Sequence, residues 1–349
     1  MIHWQTYYQQ NKHLPLNTIM EGYKKLTLEF TERMVLITQQ SQNVGSGYYS
    51  SSTSAGPSGI QRAIFGYGIN FGAQNVSVSN LVSNTGVVAT DTTGVGTSRK
   101  GLAAAGYGTD KAIFGFGYTT GVVAMTNLVS NTGVVANDTA AVSVVPRQYI
   151  SAAAYGTDKA IFAYGATAGG ETSSTAYTNL VSNTGVIASD TYNGGEERMR
   201  SAGVGYGGDK AIFAFGANYS NPVLNSTYLV SNTGIPSSGQ SNIGTARYGV
   251  AAAAYGTDKA IFGFGYNNSI ETRITNLVSN TGVVAGDQLI ADNPRYWLAA
   301  AGYGGDKAIF SFGVYSSTNL VSNKGVISTS ITQVGTSRYM LAAAGYSTT

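Results

Sequence analysis

Leu102–Gly117 reads Leu-Ala-Ala-Ala-Gly-Tyr-Gly-Thr-Asp-Lys-Ala-Ile-Phe-Gly-Phe-Gly, and Asn127–Gly133 reads Asn-Leu-Val-Ser-Asn-Thr-Gly. Both motifs recur along the chain with few changes. Copies of the Lys-Ala-Ile-Phe segment begin at positions 62, 111, 159, 210, 259 and 307, with Arg replacing Lys in the first copy. The successive steps are 49, 48, 51, 49 and 48 residues. A period near 50 residues with short apolar segments indicates propeller blades, each repeat forming one small sheet.

Each repeat contains three segments that are typical of strands. The Ala-Ala-Ala, Ala-Ile-Phe and Asn-Leu-Val segments are short, apolar and bounded by Gly or polar residues. Gly-Thr-Asp between the first two predicts a tight hairpin turn, because Gly accepts positive φ and Asp bonds its own backbone. The small Ala side chains predict an innermost strand, where strands crowd the axis. The Phe and Ile side chains are then expected to fill the space between blades.

The two ends of the repeat region are complementary. The first copy begins at Arg62 without a preceding Ala-Ala-Ala segment, and the chain ends with Leu341–Tyr346 without a following Lys-Ala-Ile-Phe segment. The C-terminal strand is therefore expected to complete the blade that Ile60–Phe71 starts, which hides the edges of an open array. We predict an all-β, six-bladed propeller; a solenoid is the alternative, but it would need capping repeats.

The composition excludes several classes of protein. The 349 residues include no Cys, and both His residues, His3 and His13, lie near the N-terminus. This rules out disulfides, Cys nucleophiles and His-dependent catalysis or metal binding within the blades. The net charge is +3 without a basic block, so no nucleic-acid partner is expected. The sequence contains no apolar run long enough to predict a membrane span.

The layout of each repeat resembles the kelch family of β-propellers. The resemblance covers about residues 58–349 and rests on an aliphatic strand, a turn, a strand ending in glycines and a strand ending in a polar turn. Two features depart from that family: Gly115-Phe116-Gly117 replaces adjacent glycines, and Val134 stands where the family has Trp. A chromosome-condensation-regulator-like propeller is similar in period. The near-identical, Gly- and Asn-rich repeats also resemble tailed-phage appendage proteins in composition.

The chain is predicted to have three parts: an N-terminal segment at residues 1–45, a Gly/Ser linker at residues 46–59 and the propeller at residues 60–349. Residues 16–38 fit either a helix or a hairpin. Their apolar stripe is expected to pack against copies of itself, the propeller rim or other virion proteins. The predicted function is a non-enzymatic virion appendage that displays the propeller for adhesion to a host glycan or protein, or for decoration. The alternative is a soluble kelch-like interaction scaffold or glycan-binding propeller, cytoplasmic or extracellular.

An arginine lies eight residues before each repeat tyrosine. A structural role, in which each Arg bonds carbonyls of the adjacent blade, is favoured over an anion-binding ring at one mouth, because the planar guanidinium offers five donors. These arginines are Arg99, Arg147, Arg198, Arg247, Arg295 and Arg338.

The repeated aspartates and the variable loops are the other candidates. Asp110 and its equivalents, each followed by Lys, are expected to form turns rather than a metal site, and no cofactor is expected. Binding residues are expected in loops whose sequence varies between repeats, because a rigid scaffold presents them. The candidates in those loops are Tyr118, Glu171, Asn218, Tyr219 and Asn267. A sialidase or oxidase is disfavoured because its motif boxes or copper ligands are missing.

Overall fold

The computed structural model describes residues 13–16, 18, 20, 60–141, 144–168, 173–193, 195–315 and 317–348. Internal contacts divide the chain into two units, Met1–Thr53 and Ser54–Thr349. In the first unit, Leu16, Thr18 and Met20 have helical backbone conformation. The rest of residues 16–38, the other residues of the predicted N-terminal segment and the linker lie outside the described residues. No helix in the described part of the chain is long and apolar enough to cross a membrane.

The described part of the second unit consists of strands and turns. Its strands are β1 (Ile60–Gly66), β2 (Ile69–Asn70), β3 (Ser79–Val82), β4 (Ala103–Tyr107), β5 (Lys111–Tyr118), β6 (Val122–Val129), β7 (Thr139–Ala140), β8 (Ser151–Tyr155), β9 (Lys159–Ala163), β10 (Tyr177–Val181), β11 (Thr191–Tyr192), β12 (Ala202–Tyr206), β13 (Lys210–Ala214), β14 (Thr227–Val230), β15 (Pro236–Ser238), β16 (Ala251–Tyr255), β17 (Lys259–Gly263), β18 (Ile274–Val278), β19 (Gln288–Leu289), β20 (Ala299–Tyr303), β21 (Lys307–Phe312), β22 (Ser317–Val321), β23 (Ile331–Thr332), β24 (Arg338–Tyr339) and β25 (Ala342–Thr348).

The strands form a six-bladed β-propeller, as the repeats predict. Five blades are four-stranded antiparallel sheets whose strands follow chain order from the axis outward: β4 to β7, β8 to β11, β12 to β15, β16 to β19 and β20 to β23. We number these blades 2 to 6. Blade 1 has the order β25-β1-β3, so the last strand of the chain is its innermost strand. The short pair β2 and β24 lies beside it.

Ring closure is visible in the strand contacts and in the register. Each innermost strand contacts the next around the axis, in the cyclic order β25, β4, β8, β12, β16 and β20. Ile60 pairs with Thr348 and Gly66 with Ala342, so β25 and β1 pair over their full length. The solenoid alternative is therefore wrong, because the terminal strands share one sheet.

The innermost strands are built from Ala and Gly because neighbouring backbones approach closely at the axis. A β-carbon at Gly106 would lie 3.1 Å from the carbonyl oxygen of Gly345 in the adjacent blade. Larger side chains at such positions would force the blades apart.

Aromatic side chains fill the space between blades, as expected. A pair of rings meets at every blade boundary, with centroids 5.2 to 5.5 Å apart. The pairs are Tyr67–Phe114, Phe116–Phe162, Tyr164–Phe213, Phe215–Phe262, Phe264–Phe310 and Phe312–Phe65. Each such contact stabilises the fold by more than the burial of its apolar area alone.

Candidate functional site

The six repeat arginines are buried inside the propeller, each with 0% of its surface exposed. In blade 2, Arg99 donates from Nε to the carbonyl of Phe116 over 2.8 Å and from Nη2 to Oδ1 of Asn127 over 2.6 Å. Both acceptors belong to the blade whose innermost strand follows Arg99. The expectation that each Arg bonds carbonyls of the adjacent blade is therefore wrong for the side chain, because the guanidinium reaches outward along its own sheet.

The link to the adjacent blade is a stacking contact and a backbone bond. The guanidinium carbon of Arg99 lies 4.3 Å from the ring centroid of Tyr67 in blade 1, and the carbonyl of Arg99 accepts from the amide of Gly68 over 2.9 Å. The same pair of contacts recurs around the ring, the stacking distances ranging from 3.9 to 5.6 Å. Each arginine thus ties two blades together.

The Gly-Phe-Gly motif explains this geometry. Phe116 has φ of 64° and Gly117 has φ of 115°, and the pairing of β5 with β6 shifts its register there. This bend places the Phe116 ring beneath Arg147 of blade 3, while its carbonyl faces Arg99. Phe116, which stands between the two glycines of this motif, therefore contacts two arginines at once, Arg147 through its ring and Arg99 through its carbonyl.

Carboxylates compensate the buried charge. Oδ1 of Asp138 lies 3.7 Å from Arg99 and that of Asp91 lies 3.8 Å from Arg338. Burial lowers the pKa of Arg247 to about 10, and Asp287 opposes this shift. The guanidinium is still protonated at neutral pH, so the loss of hydration must be offset by hydrogen bonds and nearby carboxylates. Fully enclosed, these groups present no cationic ring to an anion at either mouth.

In blade 4, different residues supply the hydrogen-bond partners of the buried arginine. Tyr228 replaces the Asn of the other blades, and Arg198 instead donates to Glu196 over 2.9 Å and to Oγ of Ser226 over 2.7 Å. The hydroxyl of Tyr228 accepts from the amide of Glu196 over 2.5 Å. The need to satisfy the buried arginine is therefore common to the blades, while the partner varies.

The aspartates of the hairpin turns lie at the end of the axis that we call the turn mouth. Asp158 accepts from Nζ of Lys159 over 2.8 Å and from Nδ2 of Asn183 over 3.1 Å. Its carbonyl accepts from the amide of Gly108 in the preceding blade over 2.7 Å. Among the described residues, no three or more His, Cys, Asp or Glu side chains form a group that could hold a metal. The geometry is that of turn formers.

The four predicted loop residues that the structure describes, Tyr118, Asn218, Tyr219 and Asn267, lie at the opposite end, which we call the arginine face. Asn218 and Asn267 accept backbone amides of their own loops, at 2.7 to 3.1 Å, so their side chains shape the turns. Tyr219 is 73% exposed. Tyr118 is half-buried, with Nζ of Lys100 5.7 Å from its ring centroid. Glu171 lies outside the described residues.

Sequence reasoning missed a ring of residues on this face, two positions after each repeat arginine. Their backbones form a closed cycle of hydrogen bonds around the axis, each amide donating to the carbonyl of the preceding blade over 2.7 to 3.1 Å. The cycle comprises Gly101, Tyr149, Arg200, Gly249, Trp297 and Met340, all with positive φ between 52° and 63°. The available signal was that this position varies between blades, with Gly only in blades 2 and 5, although the arginine two residues before it is present in all six.

The side chains of this ring close the axis at the arginine face. Tyr149 in blade 3 and Trp297 in the opposite blade 6 meet with centroids 5.4 Å apart and planes inclined by 32°. The guanidinium of Arg200 lies 4.7 Å from the Tyr149 ring, 5.0 Å from that of Tyr248 and 5.3 Å from that of Trp297. Arg200 is itself only 8% exposed. We call these side chains the cap of the axis, in which the Arg200 cation lies among the aromatic rings of Tyr149, Tyr248 and Trp297.

An aromatic surface extends from this cap over blades 5 and 6. The rings of Tyr248 and Tyr266 lie 5.5 Å apart, those of Tyr266 and Tyr296 5.3 Å apart, and that of Trp297 within 5.9 Å of Tyr296 and 5.8 Å of Tyr248. All four side chains are half-buried. We call Tyr248, Tyr266, Tyr296 and Trp297 the aromatic platform. Such rings combine apolar area with polar groups, a composition typical of binding surfaces.

No protein-family model matches this chain, and a search of curated proteins found no match.

Proposed function

We propose that the protein is a non-enzymatic binding protein of a virus particle, a phage tail or capsid appendage that displays the propeller for adhesion to a host glycan or protein. The observation that carries the proposal is the contrast between the constant interior of the propeller and its variable arginine face. The buried arginines and the inter-blade aromatic rings repeat in all blades, whereas the residues two positions after each arginine and the loops of the arginine face do not. Loops and side chains on a rigid scaffold are where binding residues concentrate.

Attachment is assigned to residues 1–45. They stand outside the repeat, and contacts place Met1–Thr53 in a unit of its own. Docking of this segment on other virion proteins would leave the propeller to engage the host. The low content of charged residues, 11%, suits a surface whose interactions depend little on ionic strength.

We also propose that the propeller is of the kelch type. Each blade begins with its innermost strand, and the C-terminal strand supplies the innermost strand of blade 1. That order supports the resemblance. Gly115-Phe116-Gly117, which replaces adjacent glycines, sets this chain apart within such a family.

A soluble kelch-like scaffold or glycan-binding propeller is the second candidate, and the aromatic platform favours it. Platform binding alone requires no particle. The two candidates therefore differ in the role of residues 1–45, not in the role of the arginine face.

Mass spectrometry of density-purified particles from the source of this sequence tests the proposal. We expect the chain at a fixed copy number per particle, and we expect that number to fall to background when residues 1–45 are deleted. Absence of the full-length chain from particles would overturn the virion role and leave the soluble propeller.

A further inference from the structure

We propose that the aromatic platform, Tyr248, Tyr266, Tyr296 and Trp297, is a carbohydrate-binding site whose occupant is a neutral or acidic sugar chain lying across blades 5 and 6. The inference rests on the binding function proposed above and names its ligand class and residues. Three observations carry it: the backbone conformation at the arginine face, the absence of the Tyr248–Tyr266 ring pair from blades 3 and 4, and the charge beneath the rings.

The backbone of the hydrogen-bonded cycle on the arginine face favours glycine, yet four of the six blades have another residue at this position. Trp297 and Tyr149 have φ of 58° and 52°, a region that side chains adopt at a cost of about 1–2 kcal/mol. Gly101 and Gly249 occupy the equivalent positions of blades 2 and 5 and form the same hydrogen bonds without this cost. Because glycine forms the same hydrogen bonds in blades 2 and 5, the backbone cycle does not itself require the bulky side chains of Tyr149 and Trp297.

The ring pair of the platform is not repeated in blades 3 and 4. The isolated bridge that joins Tyr248 to Tyr266 has equivalents between Gln148 and Ala166 in blade 3 and between Met199 and Ala217 in blade 4. Those blades have the same buried arginine and inter-blade rings. The aromatic pair is therefore not required for a blade to form.

The charge beneath the platform selects the class of ligand. Arg200 already occupies the space among Tyr149, Tyr248 and Trp297 that a cationic ligand would need, so quaternary ammonium or methyl-lysine ligands are disfavoured. Neutral sugars present apolar C–H faces to half-buried rings and hydroxyls to the tyrosine oxygens, and acidic sugars add attraction to Arg200. Single-stranded nucleic acid also stacks on aromatic rings, but it requires a basic groove.

Two variants borrow residues that the chain uses elsewhere. Tyr266→Ala reproduces Ala166 and Ala217, and Tyr248→Gln reproduces Gln148, so both should preserve the fold. Tyr192→Ala, which removes a tyrosine 59% exposed on the outer strand β11, is the matched control. Trp4→Phe as a common background leaves Trp297 as the sole tryptophan, so its fluorescence reports on the platform directly.

The full-length chain would be screened on an array of neutral, acidic and amino-sugar oligosaccharides, with a 20-nucleotide single-stranded DNA in parallel. We expect saturable binding of at least one neutral or acidic oligosaccharide, with a shift in Trp297 emission. Tyr266→Ala and Tyr248→Gln should each weaken it about tenfold or more, and Tyr192→Ala should leave it unchanged.

Three results would overturn the inference: no oligosaccharide that shifts Trp297 emission at millimolar concentration, binding that both platform variants leave intact, or binding of the DNA alone. Each is separable from failure of the proposed function. A chain that is present on particles but ignores sugars keeps the virion role, whereas a chain that binds sugars but is absent from particles keeps only the platform.

Discussion

Nη2 of Arg338 donates a 2.7 Å hydrogen bond to Oδ1 of Asn80, although 258 residues separate the two along the chain. Arg338 precedes the C-terminal strand β25, and Asn80 lies in β3 of the same blade. Thr336 adds a second link, since its hydroxyl donates to Asp91 over 2.5 Å. Blade 1 is therefore assembled from both ends of the repeat region by the same contacts that other blades make locally.

Deletion of residues 338–349 should destroy the closed ring. It removes Arg338 and β25, exposes the paired edge of β1 to other chains and removes the strand that packs against β20. We expect aggregation or loss of a single cooperative unfolding transition, measured by size-exclusion chromatography and scanning calorimetry. A chain ending at Ser347 is the control, because it keeps the bond from the Ser347 amide to the carbonyl of Asp110. A monomeric deletion variant with unchanged melting would contradict closure.

Asn276→Ala should destabilise the protein by about 1.5–3 kcal/mol, because it leaves a buried charged donor without its acceptor. Oδ1 of Asn276 accepts from Nη2 of Arg247 over 2.5 Å. Urea unfolding measures the loss.

Blade 4 supplies the rescue for this loss. Adding Thr245→Glu and Ile274→Ser to Asn276→Tyr places the partners of Arg198 around Arg247, and we expect this triple variant to be more stable than Asn276→Ala. Equal stability of the two variants would show that the partners of Arg198 do not transfer.

Gly282→Ala should destabilise the protein, whereas Gly286→Ala, four residues further on, should not. Gly282 has φ of 84°, and a β-carbon there would lie 2.8 Å from Cζ of Tyr206 in the preceding blade. The backbone conformation alone costs about 1–2 kcal/mol for alanine. Gly286 has nothing within 4 Å of such a carbon. Thermal unfolding of both variants decides the matter, and equal melting temperatures would refute the proposed contact with Tyr206.

Stability should fall in acid because of the carboxylates beside the buried arginines. Burial tends to raise the pKa of Asp91, Asp138 and Asp287, but hydrogen bonds from Thr and Asn side chains outweigh it, and their pKa values lie below the ordinary 3.8. A lowered pKa in the folded state stabilises it above the unfolded value, and this contribution disappears as pH falls through the folded value. We therefore expect a constant melting temperature from about pH 7 to 5 and a decline below about pH 4.

A variant with Asn at all three of these positions tests the origin of the decline. It should melt lower at pH 7 and lose less stability between pH 5 and 3. An acid response identical to that of the unchanged chain would place the responsible groups elsewhere.

Much of the architecture was predictable because it is periodic. The 48- to 51-residue steps, the small innermost strands, the aromatic inter-blade filling and the complementary ends all follow from local patterns repeated along the chain. The arginines were recognised for the same reason, but their partners were misassigned. Spacing along the chain does not say whether a long side chain reaches across to the next sheet or outward along its own.

The sequence by itself determined the number of blades, the order of strands and the closure of the ring, since each depends on repeats and strand-forming residues. Only the tertiary structure decided which groups meet at the axis. Tyr149 and Trp297 come from opposite blades, and Tyr248, Tyr266 and Tyr296 from two neighbouring ones. Such a surface exists only when the closed propeller brings distant segments to one end, where the left-handed backbone at Tyr149 and Trp297 lets their rings meet at the axis.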